Sequence, residues 1–195
     1  MILSSHIIVA SALSASLINQ PFSFLNSALI FILSFLSHFL LDMIPHWDYK
    51  VNFIDNLKKT GSFFGDKERK FFKFDLVKLL FDGILGIVLS FFIIENFSWQ
   101  NLIGLSLAIF GAILPDALTV FYFLNKSRTF PYNIDSVGKQ DTLGKVRDKN
   151  SFLGFLYNFH GAIHGRRVFN EKSFWGAILQ ILTIGAIILL IKLFF

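Results

Sequence analysis

The chain has 195 residues, 54% hydrophobic and 16% charged, with a formal charge of +5 and no cysteine. A soluble domain carries about 25% charged residues, so the mean hydropathy of +0.61 and the 26 phenylalanines point to a lipid bilayer rather than water as the solvent. The missing cysteine excludes disulfides, thiolate nucleophiles and cysteine-type zinc sites, and outside the loops no basic stripe with interleaved aromatics suggests nucleic acid as a partner.

The first apolar segment, Met1–Ile18, is short and rich in Ser and Ala. Small residues allow close helix contact in lipid, so it reads as a thin spanning helix packed tightly on its neighbours. It has no basic leader, and His6 interrupts it, so it is expected to stay in the mature protein. After the turn Asn19-Gln20-Pro21 comes Phe22–Ile44, long enough for the roughly 20 helical residues that cross hydrocarbon. A basic connection, Trp47–Lys73, leads to a third span at Leu76–Ile94. The turn Glu95-Asn96-Phe97-Ser98 leads to a fourth at Trp99–Leu124. The second basic connection, Asn125–Lys172, contains the apolar stretch Ser151–Gly165, with Phe152, Phe155, Leu156, Phe159 and Ile163 at helical spacing. It is too short to cross and reads as an interfacial helix. The last span is Ser173–Phe195. No alternating strand pattern suggests a barrel. The expected fold is all-α: one integral membrane domain over residues 1–195, a polytopic bundle of about five transmembrane helices plus a short interfacial helix.

Charge orients the bundle. The segment 47–73 holds seven basic residues and 125–172 holds nine, out of 18 in the chain. Alternation along five spans puts both segments on one side, and the positive-inside rule makes that side cytoplasmic. The N-terminus is then inside and the C-terminus outside.

The unusual polar residues collect on the same side. His38 and Asp42 are four apart and share a helix face. Pro45 then ends the helix and lets His46 and Asp48 turn inward. Asp116 follows Pro115 toward the cytoplasmic half of the fourth span, and His160 and His164 are again four apart on the interfacial helix. Ionisable residues in a spanning segment are costly and mark functional sites by default. Spacing of i, i+4 suits two ligands on one metal. Imidazole and carboxylate without thiolate favour zinc, or manganese or iron. The expected ligands of a divalent metal ion are His38, Asp42, Asp116, His160 and His164. His6 and Asp82 stand at the margin as supporting groups, and Asp75 is expected to pair with Lys78. Arg166 and Arg167 follow the paired histidines. They offer forked hydrogen bonds to an anion, though loop anchoring is the stronger reading for them.

Ser5-His6 opening an Ala/Ser-rich helix, the tripeptide Leu114-Pro115-Asp116 and the late pair His160/His164 resemble the membrane-bound metal-dependent hydrolases, including the LexA-regulated inner-membrane type. The run from His38 through Asp42 and Pro45 to His46 is similar to a variant found among small bacterial proteins of that kind. Where the family shows Leu-Pro-Asp-x-Asp-His, this chain has Leu118 and Thr119 in place of the second Asp and the His. In place of His-Arg-Gly-x-Thr-His it has His160-Gly161-Ala162-Ile163-His164. The resemblance implies the cytoplasmic membrane of a prokaryote and a hydrolase acting at that membrane's surface.

The leading functional expectation is therefore a metal-dependent hydrolase with its site at the cytoplasmic face, acting on a lipid or other phosphoester. A metal-bound water would be the nucleophile, and His46 or Asp48 the general base. The alternatives are a non-catalytic metal-handling or transport protein and a helical membrane scaffold. Transport sites lie near the midplane between repeats, whereas these residues gather at one edge.

Overall fold

The computed structural model describes residues 3–44, 46–47, 51–52, 66–94, 96–129, 152–164, 168–169 and 174–194. Among the described residues six helices carry the fold: α1 (Leu3–Ile18), α2 (Phe24–Asp42), α3 (Asp66–Phe91), α4 (Trp99–Thr129), α5 (Phe152–His164) and α6 (Phe174–Phe194). Two short strands, β1 (His46–Trp47) and β2 (Val168–Phe169), pair in parallel, with His46 opposite Val168. This pairing ties the exit of α2 to the segment that follows α5.

The expected segments all appear as helices, and their ends differ for identifiable reasons. Ser23 caps α2, its hydroxyl accepting the Asn26 N–H at 3.1 Å, so α2 starts two residues later than the apolar run. Helix α3 begins at Asp66, inside the segment assigned to the basic loop 47–73. Likewise α4 runs to Thr129, into the loop expected from Asn125. Lys, Arg and Glu are good helix formers, and a helix needs no apolar side chains once it leaves hydrocarbon; the apolar run marks the buried length only. Among the described residues, α2 and Trp99–Tyr122 of α4 are long and apolar enough to cross a membrane, two rather than five. The 16 residues of α1 rise only about 24 Å, short of a core of about 30 Å. Helix α3 carries Asp75, Lys78 and Asp82 in its first two-thirds.

Helix α1 lies at the centre, packed by α2, α3, α4 and α6. Its buried residues are largely small or polar: Ser4, Ser5, His6, Ala10, Ser11, Ala12 and Ser14. The Ser11 and Ser90 hydroxyls are 3.0 Å apart, and those of Ser14 and Ser34 are 3.2 Å apart. Two glycines permit the closest approaches. A Cβ on Gly86 would stand 2.8 Å from Ser4 Cα, and one on Gly111 would stand 2.9 Å from the Phe31 carbonyl oxygen. The first brings α3 onto α1, the second α4 onto α2. The outward faces are apolar: Phe24, Phe81, Phe92 and Trp99 are 72–89% exposed. Water favours the reverse, with Phe inside and Ser outside. Polar-in, apolar-out packing is what hydrocarbon favours, because helices there associate through small residues and interhelical hydrogen bonds.

Candidate metal centre

Four helices bring one titratable cluster together at the end of the bundle where α1 starts and α2 ends. The last turn of α2 supplies His38 and Asp42, both fully buried; their spacing places them on one face, with Nε2 of His38 3.2 Å from Oδ2 of Asp42. Helix α5 contributes His160, whose Nε2 is 3.0 Å from the same Asp42 oxygen and 3.4 Å from Nε2 of His38. Helix α4 contributes Asp116, whose Oδ1 is 3.6 Å from Nε2 of each of these histidines. From α1, His6 places Nε2 3.4 Å from the other Asp42 oxygen and stacks its ring on His38 with centroids 4.1 Å apart.

Hydrogen bonds on the far side of each ring decide what faces the centre. His38 Nδ1 lies 2.8 Å from the Ala112 carbonyl oxygen, which can only accept, so Nδ1 carries the proton. Pro115 has no N–H to give the Gly111 carbonyl and loosens the α4 ladder in this turn, where the Ala112 carbonyl accepts the imidazole. His160 Nδ1 lies 3.0 Å from Thr119 Oγ1, and that hydroxyl donates to the Pro115 carbonyl at 3.0 Å. With its hydrogen engaged, the Thr119 oxygen accepts from His160 Nδ1. In their neutral form both imidazoles turn Nε2 lone pairs inward, toward two carboxylates that also only accept.

The two Nε2 atoms thus lie 3.4 Å from each other and 3.0–3.6 Å from oxygens of Asp42 and Asp116, an arrangement of electron-pair donors that a positive charge among them would stabilise. In a tetrahedral centre with bonds near 2.0–2.1 Å, neighbouring ligand atoms are about 3.3 Å apart. The observed separations centre on that value. His6, His38 and Asp42, and His38, Asp116 and His160, form two groups of side chains able to hold a metal ion. Ligating histidines almost always donate their second ring N–H to a carbonyl, carboxylate or water; Ala112 and Thr119 supply the acceptors here.

The remaining predicted residues separate clearly. His46 is fully buried, with Nδ1 2.7 Å from the Ile44 carbonyl oxygen, and it belongs to neither metal-capable group. Asp82 accepts the Ser4 N–H at 3.3 Å, one of the unsatisfied donors at the start of α1, and so anchors the helix that carries His6. Asp75 pairs with Lys78 at 3.3 Å, as expected. The His164 side chain, Asp48, Arg166 and Arg167 lie outside the described residues.

Two participants were not legible as such. Thr119 stands where the motif that this sequence resembles has a histidine, yet its hydroxyl lies 3.0 Å from Nδ1 of His160. Its position three residues after Asp116 and four after Pro115, on one helix face, is the signal that could have found it. Gln180 of α6 is buried and donates to the Ser5 hydroxyl at 2.6 Å, which seats α6 beside His6. A crevice of about 10 Å³ next to His160, lined also by Phe39, Thr119 and Tyr157, has room for about one water. Burial raises the Tyr157 pKa above the ordinary phenol value, which keeps its hydroxyl a neutral donor. Comparison of the chain with family models, with curated proteins and with solved structures gives no match.

Proposed function

We propose that this protein is a membrane-embedded, metal-dependent hydrolase whose cation is held by His38, Asp42, Asp116 and His160. The observation that carries the reading is the inward convergence of two tautomer-fixed Nε2 atoms and two carboxylates at metal-ligand spacing. Zinc suits four nitrogen and oxygen donors in this geometry, and manganese or iron suits the same donor types. His164, four residues after His160 in the sequence, completes the expected ligand set.

A bound divalent cation lowers the pKa of a coordinated water and supplies a nucleophile at neutral pH. The chain's own residues do the rest. Ala112 and Thr119 hold the two imidazoles in the ligating tautomer. His6 orients Asp42 through its second oxygen. His46, its Nδ1 proton held by the Ile44 carbonyl, keeps Nε2 as its basic atom, and His46 or Asp48 serves as general base. The substrate is a lipid or other phosphoester, whose phosphoryl oxygens suit the forked donors that Arg166 and Arg167 offer in addition to their stronger reading as loop anchors. The resemblance to membrane-bound metal-dependent hydrolases supports the same class.

In this reading the bundle spans the cytoplasmic membrane of a prokaryote five times, with the metal centre at the cytoplasmic end. The apolar outer faces, the two candidate spans and the basic segments at one end support it. Since the chain has no cysteine, single cysteines at residue 20 and residue 140 can be tested for labelling by an impermeant maleimide in intact cells. Residue 20 should label and residue 140 should not; the opposite pattern reverses the orientation.

Elemental analysis of detergent-purified protein, beside a His38→Ala/His160→Ala variant, tests the centre itself. Stoichiometric metal in the parent and background metal in the variant are expected, and equal metal in both would sink the site. Turnover of bis-p-nitrophenyl phosphate by the loaded parent tests the hydrolase; metal without turnover would leave a metal-handling protein.

A further inference from the structure

Besides the crevice at His160, a second hollow runs between α3 and α4. It is an open groove of about 530 Å³, within the 300–1,000 Å³ of typical ligand pockets. Ile87 and Phe91 of α3 form one wall, and Leu102, Leu105, Ile109 and Ile113 of α4 the other. Its α4 wall belongs to Trp99–Tyr122, a segment apolar and long enough to lie in hydrocarbon.

The groove's α4 wall runs toward the turn of that helix that carries Asp116. Ile109, Ile113 and Asp116 are spaced i, i+4, i+7 and so share one face of α4. Asp116 is also the accessible member of the cluster, 40% exposed, where His6, His38, Asp42 and His160 are at most 6% exposed. A molecule reaching the centre past these side chains therefore arrives over Asp116, from the end of the apolar stripe. From Asp116 down to Leu102 the helix rises about 21 Å, more than half of a hydrocarbon core of about 30 Å. The crevice at His160 is far too small to hold a chain. In the sequence, 16 of the 18 basic residues lie in 47–73 and 125–172, which follow the C-terminal turn of α2 and the Asp116 turn of α4, an excess that complements an anionic head group.

We infer that the groove holds the tail of a single-chain amphiphile bearing a phosphate head, with the head over Asp116 at the metal and the chain lying along α4 past the bilayer midplane. The inference rests on the metal-hydrolase reading and gives its substrate a class: a long-chain lipid phosphoester rather than a water-soluble one. Apolar length along the groove, in addition to the head group, then sets affinity.

The test uses the whole protein, zinc-loaded, in nanodiscs of dioleoylphosphatidylcholine. Two photoactivatable probes are compared: an octadecylphosphonate with a diazirine in its chain, and the matching octadecanol. The phosphonate should label residues 87–91 and 102–113 about tenfold over the outward face of α2 around Leu36, a free-energy preference of about 1.4 kcal/mol. The alcohol should label both faces alike. Ile109→Trp or Ser106→Trp, which fill the groove from outside the cluster, should abolish the enrichment with zinc retained; Leu36→Trp should leave it intact. A hexylphosphonate should compete poorly for the groove. Even labelling by the phosphonate with zinc retained overturns this inference alone, and even labelling with no zinc overturns it together with the metal centre. Enrichment that persists in both groove-filling variants, or protein-to-protein cross-links across the groove marking a second copy as its occupant, also overturns it.

Discussion

The two ends of the bundle solve the same problem in opposite ways. Both bury polar side chains beside apolar helices. At the end where α1 leaves and α4 begins, each polar group meets its complement. Asn101 gives its amide hydrogens to the Asn19 side-chain oxygen at 3.3 Å and the Asn96 carbonyl at 2.9 Å. Ser98 accepts the Asn101 N–H, and Ser23 accepts that of Asn26. Phe22, Phe92, Phe97 and Trp99 stand exposed around this end, and the amphipathic ring of Trp99 is of the kind that favours a membrane interface. At the other end the donors point outward, to Ala112 and Thr119, and acceptors face acceptors. Donor–acceptor complementarity is what folding alone requires, since each unpaired buried group costs about 1–3 kcal/mol. A cation would compensate such convergent acceptors, and these side chains form groups able to hold one.

That contrast can be broken at either end. The larger effect is expected at Thr119. Thr119→Val keeps the shape but removes the acceptor for His160 Nδ1, and losing such a supporting partner costs about 10–100-fold in metal affinity. Competition with a zinc-binding dye should show it, with the helical circular dichroism unchanged and Thr119→Ser close to the parent. Equal zinc affinity in Thr119→Val would mean that the hydroxyl does not set the tautomer. The smaller effect belongs to the opposite end. Ser23→Ala removes the α2 cap and should lower stability by about 1 kcal/mol, read as a drop in the midpoint of thermal unfolding in detergent. Zinc affinity should stay at the parent value. A loss of zinc binding in Ser23→Ala would show that the two ends are coupled through α2.

Much of the centre is visible before any fold is known, and the reason is local. His38 and Asp42 lie four residues apart on one helix, and 3.6 residues per turn places them together whatever the helix packs against. The apolar runs likewise mark where helices lie, though not where they end, because charged residues such as Asp66–Lys70 extend a helix without extending its apolar length. Asp75 with Lys78 is another within-helix pair read directly from spacing.

What spacing could not supply is everything that depends on how one helix is rotated and set against another. His6 is a lone histidine in an apolar segment until α1 is packed at the centre, where its ring stacks on His38 and its Nε2 faces Asp42. Asp82 stands at the margin of the site in the sequence, and packing brings it to the Ser4 N–H at the start of α1. Thr119 looks like a missing ligand and turns out to hold one in place. The residue count begins as histidines and aspartates in an apolar chain; composition and helical period determine that they belong to helices and share faces. Only the close packing permitted at Gly86 and Gly111 brings those faces within ligand distance, since a side chain at either position would hold the helices apart.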